Sequence, residues 1–148
     1  MRHRYISTRF TVDRTPGEAF AAINDVAGWW SGKITGSAGK LGDEFTYRYQ
    51  DLHVSKQRVT EFVPGRKVVW LVVDAKLKFV ADPKEWNGTK ITFEISKKAG
   101  KTEVRFTHAG LTSSHECFED CSSAWGSLIK VNLRKLIASG QRSTMADI

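Results

Sequence analysis

The sequence has little sulfur and no long apolar stretch. Among 148 residues there are two cysteines, and no run reaches the about 18 apolar residues that a membrane-spanning helix requires. The opening MRHRYISTRF is charged and alternating where a secretory signal would be hydrophobic, so a cytoplasmic protein is expected. Cys117 and Cys121 stand four apart in a stretch with helical periodicity. Both side chains then share one face, where an intrahelical disulfide fits poorly, and reduced thiols are expected. Familiar catalytic signatures are missing as well. There is no Gly-x-Ser-x-Gly elbow, phosphate-binding glycine loop, His-Glu-x-x-His pair or dinucleotide fingerprint. No repeat, low-complexity tract or linker divides the chain, which reads as one domain over 1–140 followed by a flexible tail over 141–148.

What is present suits a single core. At this length folding buries roughly 68–70% of the unfolded surface, so neither disulfides nor a structural metal is needed. Lys plus Arg (23) outnumber Asp plus Glu (16), a surplus that attracts anions without specifying a fold. Tyr5 to Val12 alternate with the period of a half-buried strand. Thr15-Pro16-Gly17-Glu18 is a capping box heading a short helix that breaks near Asn24-Asp25. Val26 to Trp30 add one more helical turn. Adjacent Trp29 and Trp30 are expected not to point inward together. Strand patterns follow at Phe45–Tyr49, His53–Val63, Val68–Leu77, Lys90–Ser96 and Thr102–Thr107, punctuated by Leu41-Gly42-Asp43, Pro64-Gly65 and Ala99-Gly100.

A second capping box, Ser113 with Glu116, opens a long helix predicted to run to Ala138. Its apolar arc holds Cys117, Phe118, Cys121, Ala124, Trp125, Leu128, Ile129, Val131 and Leu136, and Asn132 falls within that arc. This order predicts an α+β domain with a curved antiparallel sheet of about six to seven strands. The sheet wraps around the long C-terminal amphipathic helix, and a short helical pair follows strand 1. A concave cavity between sheet and helix is the default ligand site.

Specific residues carry a resemblance over about Arg4 to Gly140. They are Phe10 to Pro16 with Phe20 and Trp29-Trp30, then Arg58 to Glu61, Pro64-Gly65-Arg66 and Val69-Trp70. Glu85 to Thr89, Thr102-Glu103-Val104, Phe106 to Leu111, Glu116-Cys117 and Ala124-Trp125 complete the set. Together they resemble the START/SRPBCC helix-grip superfamily, which is Bet v 1-like. Within it they resemble the branch of homologues of the C-terminal domain of a heat-shock ATPase activator. The resemblance implies the helix-grip fold. It leaves function open among lipid carriage, receptor, cyclase, oxygenase-subunit and co-chaperone roles on the same scaffold.

The ring-rich composition suits a cavity for a small hydrophobic, amphipathic or aromatic molecule. Its expected lining is Trp70, Phe79, Phe93, Phe106, Trp125, Leu128 and Asn132, with His53, Glu61 and His108 as polar cavity groups. Glu85 and Asp74 are further acid-base candidates. An enzyme, whether hydrolase, cyclase or dehydratase, using a cavity histidine or carboxylate is the first alternative. A stress-related co-chaperone or interaction module is the second. His108, His115, Cys117 and Cys121 have the composition of a zinc site but not its Cys-x2-Cys spacing. The two cysteines are read as packing groups, with no metal, cofactor or catalytic residue assigned. Lys76 and Lys78, Lys97, Lys98 and Lys101, and Arg134, Lys135 and Arg142 are dispersed, so no nucleic-acid partner is expected. The expected assembly is a monomer or homodimer without integral membrane association.

Overall fold

The alternation at the start becomes strand β1, Tyr5–Val12, which buries Ile6, Phe10 and Val12 and exposes Tyr5, Ser7, Arg9 and Thr11. The structure, a computed structural model, describes residues 5–30, 32–78, 84–110 and 118–140. Helix α1, Pro16–Asn24, starts at the expected capping box. The Glu18 N–H donates to Thr15 Oγ1 at 3.1 Å and the Thr15 N–H to Glu18 Oε1 at 3.2 Å. Its buried residues Ala19, Phe20 and Ile23 face the sheet, and a 3-10 turn, Val26–Gly28, follows.

Six more strands complete the sheet: β2 Lys33–Gly36, β3 Glu44–Tyr49, β4 His53–Val63, β5 Lys67–Leu77, β6 Lys90–Lys98 and β7 Lys101–Ala109. The order is β1-β7-β6-β5-β4-β3-β2, with all neighbours antiparallel. β1 and β2 are therefore opposite edges, and the connection carrying α1 and the 3-10 turn must cross the sheet. β2 lies in a stretch whose glycines read as turn-rich in sequence. Gly36, at φ +103°, brings its Cα against the Glu44 carbonyl, where an added Cβ would come within 2.4 Å.

Two irregularities bend the long β4–β5 hairpin. The register leaves Val73 extra on β5 opposite Lys56/Gln57 and Thr60 extra on β4 opposite Trp70/Val69. Extra residues of this kind increase local twist and bend a strand, which here curves the sheet around its inner face.

The C-terminal helix consists of α2, Phe118–Ser127, a π-helical segment, Leu128–Leu133, and α3, Arg134–Ser139. The Ser113 to Cys117 part of the expected helix lies outside the described residues. Trp125, Ile129, Leu133, Leu136 and Ile137 are buried, whereas Val131 is 52% exposed, contrary to its place on the projected arc. In a uniform α-helix Ile137 would have drifted about 120° around the axis from Trp125. The wider π turn absorbs that drift and keeps the buried row facing the sheet, turning Val131 outward.

Two arginines, one after β1 and one on α3, fasten the helix to β1 and its exit. The Arg14 guanidinium donates to the Ala138 carbonyl at 2.7 and 3.1 Å, and Arg134 Nε donates to the Thr11 carbonyl at 3.3 Å. Gly140, in the left-handed region, closes the helix.

Candidate functional site

The space between sheet and helix is lined by rings drawn from almost every element. Trp70 of β5, Phe93 of β6 and Phe106 of β7 are fully buried, and Trp125 of α2 is 2% exposed. Phe93 meets Phe106 edge-on at 5.4 Å, and Phe106 meets Trp125 at 4.6 Å. Leu128 is partly buried against this core. Four of the expected lining rings are thus brought together; Phe79 lies outside the described residues.

Trp29 and Trp30 both point inward, contrary to the expectation from sequence. That expectation holds for regular helix or strand, but Trp29 follows the 3-10 turn with φ −138° and ψ −28°, outside either repeat. Successive side chains can therefore diverge within one interior. Trp29 stacks near Trp70 at 6.3 Å and donates its indole N–H to the Ile23 carbonyl at 3.1 Å. Trp30 stacks on Tyr47 at 4.1 Å and approaches Trp125 at 5.0 Å. Burial raises the Tyr47 phenol above its ordinary pKa, with Tyr49 adding to the rise and a hydrogen bond with Trp30 partly offsetting it.

Two polar groups are built into this interior. On β7, His108 is fully buried; Trp125 Nε1 donates to its Nδ1 at 3.1 Å, and its Nε2 lies 2.8 Å from Thr89 Oγ1. An indole can only donate, so Nδ1 accepts and the ring proton sits on Nε2, directed at Thr89. The Thr89 hydroxyl in turn donates to the Trp86 carbonyl at 2.6 Å.

On β4 the inward row His53, Ser55 and Gln57 forms a second chain. Gln57 Nε2 donates to Ser55 Oγ at 3.0 Å, and Ser55 Oγ lies 2.9 Å from His53 Nε2. Burial pushes the His53 pKa down to about 4. His53 is therefore neutral near pH 7, and its Nε2 can accept the Ser55 proton.

Gln57 Oε1 and Trp70 Nε1 have no hydrogen-bond partner among the described residues. Gln57 pairs across the sheet with Val72, two positions from Trp70, so both project from adjacent strands on the inner face. One is an acceptor and the other a donor.

Glu61 is not part of this site. It is exposed and pairs with Lys67 at 3.5 Å, because the extra residue Thr60 shifts the alternation after Val59. Asn132 is partly buried and donates from Nδ2 to the Trp29 carbonyl at 3.1 Å. Replacing it by leucine is expected to destabilise the fold by roughly 1–3 kcal/mol, since that carbonyl loses a partner. Chemical denaturation checks the value, and unchanged stability would show that the bond is dispensable.

Sequence reading missed Ser55, Gln57 and Thr89. Ser55 and Gln57 share the alternation face of Val59, opposite Lys56 and Arg58, so a signal for them was present. Of the four residues with zinc-site composition, His115 and Cys117 lie outside the described residues, while Cys121 is buried on the helix face. Among the described residues no group of His, Cys, Asp or Glu is placed to hold a metal ion.

The depressed His53 pKa has a measurable consequence. Below pH 6.5 the unfolded chain takes up a proton that the folded ring refuses until about pH 4. Stability is therefore expected to fall as pH drops through that window, by on the order of 1.4 kcal/mol per unit, and to level below it. Urea midpoints of wild type and His53→Gln compared across that range check this: the variant should lose this part of the slope.

A curved antiparallel sheet, a long helix across its inner face and a ring-lined interior define a helix-grip α+β protein. The family model for Activator of Hsp90 ATPase homolog 1-like protein matches residues 18–138, and the chain belongs to that family. The solution structure of the Aha1 dimer from Colwellia psychrerythraea superposes with a TM-score of 0.75 at 23% identity, covering 92% of this chain and 97% of that one. CalU16 from Micromonospora echinospora gives 0.65 at 17% identity, over 93% of this chain and 78% of that one. DynU16, from the dynemicin biosynthetic locus, gives 0.69 at 12% identity, with 94% of this chain matching 49% of that longer one. No curated protein sequence matches the chain. Among the described residues no helix is long and apolar enough to cross a membrane.

Proposed function

We propose that this protein binds a small hydrophobic or amphipathic molecule with a flat ring and one hydroxyl, between the sheet and the C-terminal helix, without a cofactor. The observation that carries this reading is a pair in the ring-lined interior that is unpartnered among the described residues. Gln57 Oε1 and Trp70 Nε1 are buried on neighbouring strands. Leaving such groups unsatisfied costs about 1–3 kcal/mol each, and a ligand hydroxyl accepts from one and donates to the other. The rings supply affinity through buried area, and the polar pair sets orientation. The proposed lining is Trp70, Phe79, Phe93, Phe106, Trp125, Leu128 and Asn132, joined by Trp30 and Gln57.

Quenching of the buried tryptophans by 1-naphthol and by naphthalene tests the reading. The hydroxylated compound is expected to bind roughly threefold to tenfold more tightly, and Gln57→Leu to abolish the difference. Absence of saturable quenching by either, with no small molecule retained in native mass spectra, would overturn it.

A second reading, hydrolysis, draws on the Ser55 hydroxyl 2.9 Å from a neutral His53 ring. Ester hydrolysis by wild type that is lost in Ser55→Ala would favour it over binding alone. We assign the functional unit to 1–140 and the cellular setting to the reducing cytoplasm. The Colwellia dimer supports a homodimer here, which light scattering on the purified chain tests.

A further inference from the structure

The outer face of the sheet, remote from the ring-lined interior, holds a groove whose charges are unbalanced. On β1 and β7 Arg9 stands directly opposite Arg105, and Ser7 opposite Thr107. These residues, with Tyr5 and Glu94, line a depression of about 430 Å³. A second depression of about 410 Å³ shares Arg105 and Glu94 and adds Arg66, Lys67 and Glu103. The two share these residues and lie side by side from the β1 edge across β7 and β6 to the β4–β5 turn.

Like charges directly opposite one another on a sheet face are destabilising. Arg105 approaches Glu103 at 4.0 Å and stands opposite Glu94 on β6, and Lys67 is engaged by Glu61 at 3.5 Å. Among the described residues Arg9, Arg66 and Glu94 form no ion pair. The surface therefore carries two guanidinium groups set against each other at one end and another at the far end, separated by carboxylates.

We propose that this groove docks an extended acidic segment of a partner protein. One of its carboxylates seats between Arg9 and Arg105 and another reaches Arg66. Guanidinium groups match carboxylates bidentately, and the Ser7 and Thr107 hydroxyls add donors at the same end. The carboxylates choose the class of partner. Glu94 and Glu103 in the middle of the groove repel a uniformly charged polyanion such as nucleic acid or an anionic membrane. A peptide can pass a neutral residue over them. Among the described residues Tyr5 alone offers an exposed ring in the groove, short of the stacking platform that single-stranded nucleic acid uses.

Fluorescence anisotropy on the full chain tests the proposal, with a labelled peptide of alternating Glu and Ser as probe and its Lys-Ser counterpart as control. The acidic peptide is expected to bind and to be released as salt shortens the screening length from about 10 Å at 0.1 M to about 3 Å at 1 M. Arg9→Glu places a carboxylate opposite Arg105. It should raise the melting temperature by relieving the repulsion while weakening peptide binding about tenfold. Lys130→Glu, on the solvent side of the C-terminal helix, should leave binding unchanged. Equal affinity of wild type and Arg9→Glu, no peptide binding at low salt, or tighter binding of an oligonucleotide or of phosphatidylserine vesicles would each overturn the proposal.

Discussion

Trp30→Ala is expected to destabilise the fold by about 3–5 kcal/mol, the range for removing a large aromatic side chain from a packed interior. Trp30 is 2% exposed and meets Phe45, Tyr47, His53, Trp70 and Trp125, each ring centre within 6.5 Å. Loss of the indole leaves a cavity bordered by β3, β4, β5 and the helix, and it removes the hydrogen bond that steadies the Tyr47 phenol. Neighbours held in a sheet cannot collapse far into such a space, which places the cost in the upper part of the range. Trp30→Phe retains most of the packing and should lose well under half as much. Urea denaturation followed by circular dichroism measures both. A cost below about 1 kcal/mol for the alanine variant would show that the ring faces outward.

Trp125→Ala should cost a similar about 3–5 kcal/mol, but its composition differs. This ring joins the C-terminal helix to β7 by contact with Phe106 and by the bond to His108 Nδ1. The alanine variant loses packing and also leaves a fully buried imidazole nitrogen unpaired. Trp125→Phe separates the two effects, since it keeps apolar contact and should lose roughly 1–3 kcal/mol for the orphaned acceptor. His108→Phe combined with Trp125→Phe completes a double-mutant cycle, in which a coupling above about 0.5 kcal/mol measures the bond. If Trp125→Ala unfolds no more readily than wild type, the ring borders open space and the helix face has been assigned wrongly.

How much was legible in sequence varies by element. β4 alternates so regularly from His53 to Val59 that its limits could be read directly, yet of its buried polar row only His53 was singled out, and Ser55 and Gln57 were missed although they share its face. Helix α1 announced itself through Thr15 and Glu18, because a capping box satisfies orphan amides locally. The C-terminal helix was visible as an amphipathic stretch, yet Val131 was misplaced, because a π turn leaves the hydrophobic pattern ambiguous by one residue. Glu61 was misplaced for the analogous reason on β4: one extra residue reverses which way every later side chain points. β2 was hidden because its few residues end in Gly36 and run into turn-rich signals. Strand pairing with β3, not local propensity, makes it a strand.

Periodicity and capping are local properties, each decided by residues within a turn or two of one another. They determined from sequence alone that this chain is a meander of strands after a capped helix, closed by an amphipathic helix, with enough aromatic surface for a ring-lined interior. Direction at irregular positions and the company each side chain keeps are long-range properties. Tertiary structure alone sent both Trp29 and Trp30 inward, brought Asn132 to the carbonyl of Trp29 across 103 residues, and set Arg9 against Arg105. The physical reason is register. Antiparallel pairing and the helix crossing choose which distant residues become neighbours, and that choice is made by the summed burial of the whole core rather than by any segment's own pattern.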